Sequence, residues 1–451
     1  MTSLLTNFLA FIILISVLVA VHEYGHYIVG RWMGMRVLRF SIGFGRPIWL
    51  KKYGKDETEY CFSAIPLGGY VKFLDSRESE ISPRDYGRAF DQRPILARIA
   101  VLLAGPIFNF IFAILAYWLL MAGGITTIKP AVGFIEPNSY ADQAGLVFGD
   151  KIIQVGDEKV SEWEPALTAI LGEIVQDGQL KLVLEDNDGI QRSAILNVEN
   201  NRTRLTEPGA LFKGLGFQPW QPPAIISNLS QDGPAISSGL KVGDRITSIA
   251  DQQILSFEDL RIAVQSLAGE EVNIQYVRGN QLGIVNVKIG ERKLGSEVQG
   301  YLGVSWNASS SEGYYEEVSF TPLESLSSAV NRTWSSTKFT VHMLTRMLIG
   351  DVSVKNISGP IKIAQIAGES AERGWRYFVS IMAVISISLG VLNLLPIPIL
   401  DGGQIVYHTI EGIKGSPITE KSQIIGQQIG IILVLILMTF AFYNDISGIF
   451  S

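Results

Sequence analysis

The order of apolar and polar positions divides the chain into segments suited to a membrane and segments suited to water. Four stretches carry no charged side chain, and each is close to the roughly 20 residues that cross a bilayer as an α-helix. They are Met1–Val21, Ile99–Ile128, Tyr377–Leu395 and Ile424–Tyr443. We predict four transmembrane helices, at about residues 4–30, 95–125, 375–400 and 424–443. No Lys or Arg precedes the first stretch and no small-residue cleavage motif closes it, so we expect a permanent span rather than a signal peptide.

The long polar segment between the second and third spans contains an internal repeat. Residues 144–152 (AGLVFGDKI) align with residues 238–246 (SGLKVGDRI). Each copy shows short strands with alternating apolar positions, a Gly-Asp turn, a helical stretch and a closing glycine turn. These motifs resemble the PDZ domain in the permuted strand order that is common in bacteria. The two β-rich α+β copies are predicted at residues 126–222 and 223–307.

The two closing turns are the candidate peptide-binding loops of these domains. In PDZ domains the corresponding turn offers backbone N–H groups to the terminal carboxylate of a peptide, which adds as a strand to a sheet edge. The resemblance implies that peptide C-termini bind here; a purely structural pair of domains is the alternative, and the sequence does not indicate which copy would bind. The loop residues are Gly214, Leu215, Gly216, Phe217, Tyr301, Leu302, Gly303 and Val304.

Apolar residues recur at helical spacing between Ser319 and Gly350, within a region predicted at residues 308–374. This spacing predicts an amphipathic helix that lies beside the membrane. Packing of the same apolar stripe against the second PDZ domain is the alternative. His342 lies on this helix and is interpreted as an ordinary surface or core histidine.

The distribution of charge predicts the orientation of the spans. Arginines crowd the first loop from Arg31 to Arg98. We therefore expect this loop to face the cytoplasm, with both termini and residues 129–373 on the outer, periplasmic side.

The outer segment is acidic, since between Lys129 and Glu317 there are 15 Lys and Arg against 26 Asp and Glu. Such an acidic domain argues against nucleic acid as a partner. The single cysteine, Cys61, lies in the cytoplasmic loop, so the outer part must be stable without disulfides.

A zinc-binding motif, His22-Glu23-Tyr24-Gly25-His26, lies at the inner end of the first span. Positions i and i+4 share one helix face, so both imidazoles can bind one zinc ion while Glu23 lies beside it. Zinc lowers the pKa of a bound water to about 7, and a neighbouring carboxylate can act as the general base. Three ionisable side chains inside an apolar span are costly unless they are paired, bind metal or face a polar cavity. We therefore favour a metal site over polar packing.

A catalytic zinc ion has three protein ligands and one open position, so a third ligand is expected from another span. The third span ends in residues 393–403 (NLLPIPILDGG), where Pro396 and Pro398 break the helix and two glycines follow Asp401. Asp401 is the candidate ligand for one zinc ion per chain. Capping of the cytoplasmic end of the span is the alternative role for this carboxylate.

The histidine motif in the first span and the NxxPxPxLDG motif in the third together resemble the site-2 protease family of intramembrane zinc metalloproteases. The resemblance covers essentially the whole chain and is closest to the bacterial branch with two outer PDZ domains. It implies that His22, His26 and Asp401 bind zinc and that Glu23 activates water. It also implies substrate contacts for Asn393 and, within the Gly105–Asn109 element of the second span, for Asn109. A structural role in stabilising the broken helix is the alternative for Asn393, and helix packing is the alternative for Asn109.

Hydrolysis of a transmembrane helix requires local unwinding, because its peptide groups are otherwise held in helical hydrogen bonds. Short strands are predicted at Phe40–Gly45 and Leu67–Lys72, and in the resembling family such strands form a membrane-dipping β-structure. We hypothesise that one strand edge pairs with the unwound substrate. The candidate substrate-binding residues are Gly43, Phe44, Gly45, Gly69 and Tyr70. An ordinary cytoplasmic hairpin is the alternative.

Together these patterns predict a multi-domain integral membrane protein of the bacterial inner membrane with four transmembrane helices. The expected substrate is a single-span membrane protein within the lipid bilayer. By the resemblance it is a pre-trimmed anti-sigma factor of an envelope-stress response, with signal-peptide remnants as a further class. Metal transport explains neither Glu23 nor two peptide-binding domains. A catalytically silent adaptor would not need His22, Glu23, His26 and Asp401 together.

Overall fold

The computed structural model describes residues 2–78, 80–186, 188–279, 281–294, 297–305, 315–318, 320–416 and 418–450. The chain forms two compact units: Met1–Ile125 with Ser319–Ser451, and Thr126–Val318. The predicted end of the second PDZ domain at 306–307 and the start of the amphipathic region at 308–314 lie outside the described residues.

The first unit begins with two long apolar helices separated by a β-hairpin. Helix α1 (Thr2–Trp32) is followed by strands β1 (Val37–Tyr53) and β2 (Thr58–Phe73), and then by helix α2 (Ile95–Ala122). Gly25 on α1 lies so close to α2 that a Cβ at this position would be 2.5 Å from the carbonyl oxygen of Ala104. Glycine at this position therefore allows the backbones of the two helices to approach closely.

The hairpin folds back on itself into four strand segments. Phe40 in the first half of β1 pairs with both Tyr60 and Val71 of β2, whereas Leu50 in the second half pairs with Cys61. The order across the sheet is therefore 47–53, 58–63, 37–42 and 69–73. Gly43 lies at the bend with a φ of 92°, and a Cβ there would be 2.9 Å from the carbonyl oxygen of Ser63, so only glycine fits.

The second unit contains two copies of one fold. The elements of the first copy are β3 (Ile125–Ile128), β4 (Val132–Ile135), α3 (Tyr140–Gln143), β5 (Lys151–Val155), β6 (Glu158–Lys159), α4 (Trp163–Asp177), β7 (Gln179–Glu185), β8 (Gln191–Asn197), α5 (Arg202–Leu205), α6 (Ala210–Leu215) and β9 (Phe217–Pro219). Its sheets have the orders β6-β5-β7-β8 and β4-β9, and the buried faces of the strands and of α4 form one apolar core.

The second copy repeats the central part of this order but has a β-hairpin where the first copy has α5 and α6. Its elements are β10 (Asn228–Leu229), α7 (Pro234–Ser237), β11 (Arg245–Ile249), β12 (Gln252–Gln253), α8 (Phe257–Ser266), β13 (Glu271–Arg278), β14 (Gln281–Lys288), β15 (Gly290–Leu294), β16 (Glu297–Tyr301), β17 (Val304–Ser305) and β18 (Tyr315–Val318). The sheet orders β12-β11-β13-β14 and β10-β17 correspond to those of the first copy, and this copy has its own apolar core.

The repeated Gly-Asp turn has the same physical role in both copies. Asp150 accepts a hydrogen bond from the backbone N–H of Val147 at 2.7 Å, and Asp244 accepts one from Lys241 at 2.8 Å. Each carboxylate also pairs with an arginine of a neighbouring strand, Arg192 and Arg278 respectively. Burial raises the pKa of Asp244, but the hydrogen bonds from Arg278 and from the backbone hold it below its ordinary value. The aspartate therefore ties its turn to the sheet as a charged group.

The two predicted glycine turns differ in structure. Gly214 and Leu215 belong to the last turn of α6, and Gly216 ends that helix in the left-handed conformation, donating its N–H to Phe212. The predicted turn at Gly214–Phe217 is therefore the end of an inserted helix, which uses backbone groups that a loop would leave free, and its role in peptide binding stays a prediction. In the second copy Leu302 and Gly303 do form a loop, between β16 and β17.

The remaining elements return to the first unit. They are α9 (Pro322–Leu348), α10 (Pro360–Arg373), α11 (Trp375–Asn393), α12 (Asp401–Lys414) and α13 (Glu420–Phe450). Among the described residues four helices are long and apolar enough to span a membrane: Leu4–Trp32, Ile95–Ala122, Trp375–Asn393 and Lys421–Gly448. The third is shorter than predicted, because the chain leaves the helix before Pro396.

The predicted amphipathic helix is α9, which begins at a capping box formed by Thr321 and Glu324. It packs against α2, and Ser325, Ala329 and Thr333 are its buried residues. Apolar side chains on its other face, among them Trp334, are exposed. The predicted first residue of the segment, Ser319, lies outside the described residues.

Candidate active site

Helix α1 places the two histidines of the HExxH motif on one face and brings their ring nitrogens together. The Nε2 atoms of His22 and His26 lie 3.1 Å apart. The Asp401 carboxylate completes a triangle, with Oδ2 at 3.2 Å from His22 Nε2 and 3.5 Å from His26 Nε2. Within the described part of the chain, these three side chains form the group of His, Cys, Asp or Glu residues that could hold a metal ion.

Helix α2 orients His26. The Nδ1 atom of His26 lies 2.7 Å from the carbonyl oxygen of Val101, so it carries the proton and donates it to that oxygen. This hydrogen bond leaves Nε2 unprotonated and directed into the triangle. Gly105, one turn further along α2, faces the same two rings: a Cβ at Gly105 would lie 2.6 Å from Cε1 of His22. The second span can therefore pack against the two histidine rings only because residue 105 is a glycine.

Asn109 orients His22 from the next turn of α2. Its amide lies 3.3 Å from Nδ1 of His22, and its side chain is fully buried. With Nδ2 facing the ring, Oδ1 has no hydrogen-bond partner. Exchanging the amide oxygen and nitrogen lets Oδ1 accept the Nδ1 proton of His22. That exchange satisfies the orphaned oxygen and leaves His22 Nε2 free to bind a metal.

A broken helix positions Asp401. The chain leaves α11 after Asn393, turns through Pro396 and Pro398, and begins α12 with Asp401 itself. A Cβ at Gly402 would lie 2.4 Å or less from the carbonyl group of Leu394. The glycines after Asp401 are therefore needed because the start of α12 touches the preceding turn. A carboxylate in the first turn is also favoured by the helix dipole.

The triangle fits a zinc ion. Ligand atoms at about 2.0–2.1 Å from zinc in tetrahedral geometry lie roughly 3.3 Å apart. The three separations in the triangle, from 3.1 to 3.5 Å, match that spacing. Two neutral imidazoles and one carboxylate are a ligand set found in catalytic zinc sites, which leave the fourth position open.

Glu23 and an edge strand border a cavity that opens from this triangle. The cavity has a volume of about 500 Å³ and is lined by the HExxH residues, Asp401, residues 69–73 of β2, and Asp75 and Arg77. Glu23 packs against the strand, since a Cβ at Gly69 would lie 3.0 Å from its Cγ. In the described part of the chain, residues 69–73 pair with β1 on one side only. A strand edge and a carboxylate thus converge beside the metal-binding triangle.

The structure separates the predicted substrate-binding residues into two groups. Gly69 and Tyr70 line the cavity, and Phe44 stacks on Tyr70 with ring centroids 6.3 Å apart. Gly43 lies at the bend of β1 and Gly45 lies two residues beyond it, and neither is among the cavity-lining residues. Asn109 contacts His22 rather than the cavity, because its side chain is fully buried. Asn393 is the half-buried last residue of α11 and is likewise not part of the lining.

Sequence reasoning missed several residues around the site. The carbonyl group of Val101 carries no side-chain signal, and Phe73, Arg77 and Phe90 line the cavity without belonging to a motif. In the sequence, Arg98 stands out only as part of the cytoplasmic positive charge. A charged residue at the start of an apolar span is the one signal that pointed to it.

The model of peptidase family M50 matches residues 10–437 of the chain. The chain belongs to peptidase family M50. A relative from Haemophilus influenzae described as a regulator of sigma E protease is 38% identical over 440 residues, covering 97% of both chains. The corresponding relative from Escherichia coli, named RseP, is 34% identical and covers 99% of this chain and 100% of its own. A Vibrio cholerae relative, described as a candidate zinc metalloprotease, is 38% identical and covers 99% of both chains.

These matches confirm the predicted resemblance to the site-2 protease family and the predicted enzyme class. This member of peptidase family M50 is a membrane-embedded zinc metalloprotease. Bound zinc polarises a carbonyl group and makes water nucleophilic near neutral pH. Around it, the Val101 carbonyl and Asn109 fix the histidine tautomers, and the Gly69 strand holds the Glu23 carboxylate at the cavity.

Proposed function

We propose that the chain hydrolyses peptide bonds inside the membrane-spanning segments of other proteins. The observation that carries this proposal is the triangle of His22, His26 and Asp401 with Glu23 on the same turn of α1. In this proposal the triangle holds one zinc ion. Glu23 takes a proton from the attacking water and later gives it to the leaving amine.

The location of the motif supports cleavage within the bilayer. His22 and His26 belong to the span Leu4–Trp32. If Arg31 marks the cytoplasmic interface, a rise of about 1.5 Å per residue places His26 roughly 8 Å and His22 roughly 14 Å inside. The arginine-rich first loop supports an inner-membrane protein with its active site nearer the cytoplasm and the repeated domains in the periplasm.

Metal removal tests the proposed activity. The purified full chain is placed in lipid vesicles with a single-span substrate, treated with a zinc chelator, and then resupplied with zinc or with magnesium. Cleavage is expected to stop with the chelator and to return with zinc but not with magnesium, because a site with two imidazoles is suited to zinc and not to a hard oxygen-seeking ion. Cleavage that continues after complete removal of zinc would refute the proposal.

We further propose that the outer strand of the hairpin sheet binds the substrate as an added β-strand. Residues 69–73 border the cavity and, in the described part of the chain, pair with a strand on one side only, that of β1; the backbone N–H of Val71 also hydrogen-bonds the Glu23 carboxylate. An unwound segment could satisfy its backbone groups on this edge while its scissile bond lies beside Glu23. Gly69 and Tyr70 of the predicted substrate-binding set belong to this edge, whereas Gly43, Phe44 and Gly45 lie at the bend of β1, and their contact with the substrate stays a prediction.

Cross-linking can test strand addition. Lys72 lines the cavity with an exposed side chain, and the chain's own cysteine, Cys61, is buried. Lys72→Cys combined with Glu23→Gln is expected to form disulfides with single cysteines placed at alternate positions of the substrate, because side chains of a strand alternate between faces. A period of three to four residues in the cross-linking yield would instead indicate that the substrate stays helical.

The second copy in the repeated region is the better candidate for binding a peptide. A cleft of about 330 Å³ lies between α8 and the loop before β17, lined by Phe257, Leu260, Val264 and Leu302 among others. In the first copy the equivalent space is occupied: Phe212 of α6 contacts both Trp163 and Phe217, with ring centroids 5.5 and 5.3 Å apart. The proposed ligand is an extended peptide with an apolar C-terminal residue.

Filling the cleft should abolish this binding. Gln265 lines the cleft from α8, and Gln176 lies exposed near the end of α4 in the first copy. Gln265→Trp in the full chain is expected to weaken binding of a fluorescent peptide with a C-terminal valine at least tenfold, and Gln176→Trp to leave it unchanged. Equal affinities in the two variants would exclude the cleft as the peptide site.

The names of the relatives support a regulatory substrate. Two of them are described as regulators of sigma E. We propose that this chain likewise acts on a single-span anti-sigma factor after the outer part of that protein has been trimmed. Release of a cytoplasmic fragment from the membrane would then couple an envelope signal to transcription.

A further inference from the structure

A buried cluster of charged side chains lies apart from the metal-binding triangle. Arg98, in the first turn of α2, donates two hydrogen bonds to the Glu411 carboxylate on α12, at 2.9 and 3.1 Å. The two side chains are 9% and 17% exposed. His408, one turn earlier on α12, has Nδ1 3.1 Å from the same carboxylate and 3.3 Å from Arg98. The proposed chemistry uses none of these residues.

We infer that the Arg98–Glu411 ion pair is a clamp that holds Asp401 in its ligating position. Asp401 is the first residue of α12, and Glu411 lies ten residues further along the same helix, about 15 Å away by helix rise. Arg98 lies on the helix whose Val101 carbonyl and Asn109 side chain orient the two histidines. The clamp therefore ties the helix of one ligand to the helix that positions the other two. This inference rests on the proposed ligand set.

The need for a clamp follows from how α12 is attached. The turn at residues 394–400 contains two prolines and only scattered backbone hydrogen bonds, and it touches α12 only at the start of that helix, so contacts further along α12 help to set its direction. Helix α12 packs against α2. A bidentate pair fixes two donor–acceptor distances at once and so restrains rotation of one helix against the other as well as separation.

Neighbouring hydrogen-bond donors keep Glu411 negatively charged. Burial raises the pKa of Glu411, but the hydrogen bonds from Arg98 and His408 hold it below its ordinary value. Burial lowers the pKa of His408, so its neutral ring can donate the Nδ1 proton to Glu411. The ring also lies against Phe90, with centroids 5.8 Å apart. Glu411 is thus held as an anion by donors from both helices.

A buried ion pair contributes little net stability, so its effect on metal binding can be measured separately from its effect on protein stability. Two buried ions lose their hydration, and apolar side chains of similar volume in their place are often neutral or stabilising. An apolar pair lacks the directional bonds, however. Replacing the ion pair by an apolar pair removes the two-pronged hydrogen bond but preserves stability. Such a change should therefore disturb the metal site alone.

Two variants of the full chain test the clamp. Arg98→Lys keeps the buried positive charge but cannot make the planar, two-pronged contact. The double variant Arg98→Met with Glu411→Met removes both charges together. The zinc affinity of each is measured by competition with a chelator, and the unfolding midpoint of the metal-free protein is measured beside it. Arg346→Gln, which breaks a 3.0 Å ion pair with Asp351, is the control.

The clamp predicts zinc binding at least tenfold weaker in both variants, the size of effect found when groups supporting metal ligands are lost. Stability close to wild type is expected for the double variant, and unchanged zinc affinity for Arg346→Gln. Wild-type zinc affinity in either Arg98 variant overturns the clamp. Asp401→Asn is measured in parallel: if it too binds zinc like the wild type, the ligand set itself is wrong, whereas loss of zinc there alone rejects only the clamp.

Discussion

Glu23→Gln is expected to lower the rate of substrate cleavage by about 10²–10⁴-fold while leaving bound zinc in place. The amide keeps the size of the side chain and its packing against Gly69, but it cannot accept the proton of water. The zinc content should not change, because the triangle of metal-binding side chains consists of His22, His26 and Asp401 and does not include Glu23. Cleavage of a single-span substrate in lipid vesicles, with zinc measured on the same sample, gives both quantities.

The control for this change is Glu372→Gln, an exposed carboxylate on α10. It removes the same charge from the same unit and should leave cleavage unaffected. A Glu23→Gln protein that cleaves at the wild-type rate would falsify the assignment of the base. A variant that loses zinc as well as activity would instead indicate that Glu23 belongs to the metal site.

Gly105→Ala should produce the second large effect, although it adds only one methyl group. The new Cβ would lie 2.6 Å from Cε1 of His22 and in conflict with the ring of His26, so α2 or both imidazoles must move. Overpacking of this kind costs about 1–3 kcal/mol, which corresponds to roughly a 5-fold to 150-fold change in an equilibrium constant. We expect zinc affinity, and with it cleavage, to fall by that factor.

The matched control is Gly448→Ala on α13, where a Cβ would meet no atom within 4 Å. This variant should bind zinc and cleave like the wild type, since alanine is also the better helix former. Normal zinc affinity in Gly105→Ala would show that α2 does not approach the histidines as closely as described here.

Much of the site follows from sequence, because the relevant rules are local. Helical spacing alone places His22 and His26 on one face, and the proline pair before Asp401 predicts the helix break that exposes the carboxylate. The repeat of the Gly-Asp turn likewise predicts two copies of one domain. These features depend on neighbours within a few positions, so they can be seen before any tertiary contact is known.

Features that depend on distant segments were harder to predict. The hairpin strands are far longer than the short segments expected, and their double pairing puts Phe40 between Tyr60 and Val71, which no alternation pattern reveals. Helix α6 of the first copy places Phe212 against Trp163 and Phe217, although the sequence around Gly214 looks like a loop. The Arg98–Glu411 pair joins positions more than 300 apart, and each residue alone resembles an ordinary interfacial charge.

The central claim, a catalytic zinc held by His22, His26 and Asp401, is tested most directly by counting zinc. The purified full chain and its Asp401→Asn variant are analysed by elemental mass spectrometry after dialysis against a weak chelator. We predict one zinc ion per chain in the wild type and almost none in the variant. Equal zinc in both proteins would contradict the account, because it would place the third ligand elsewhere.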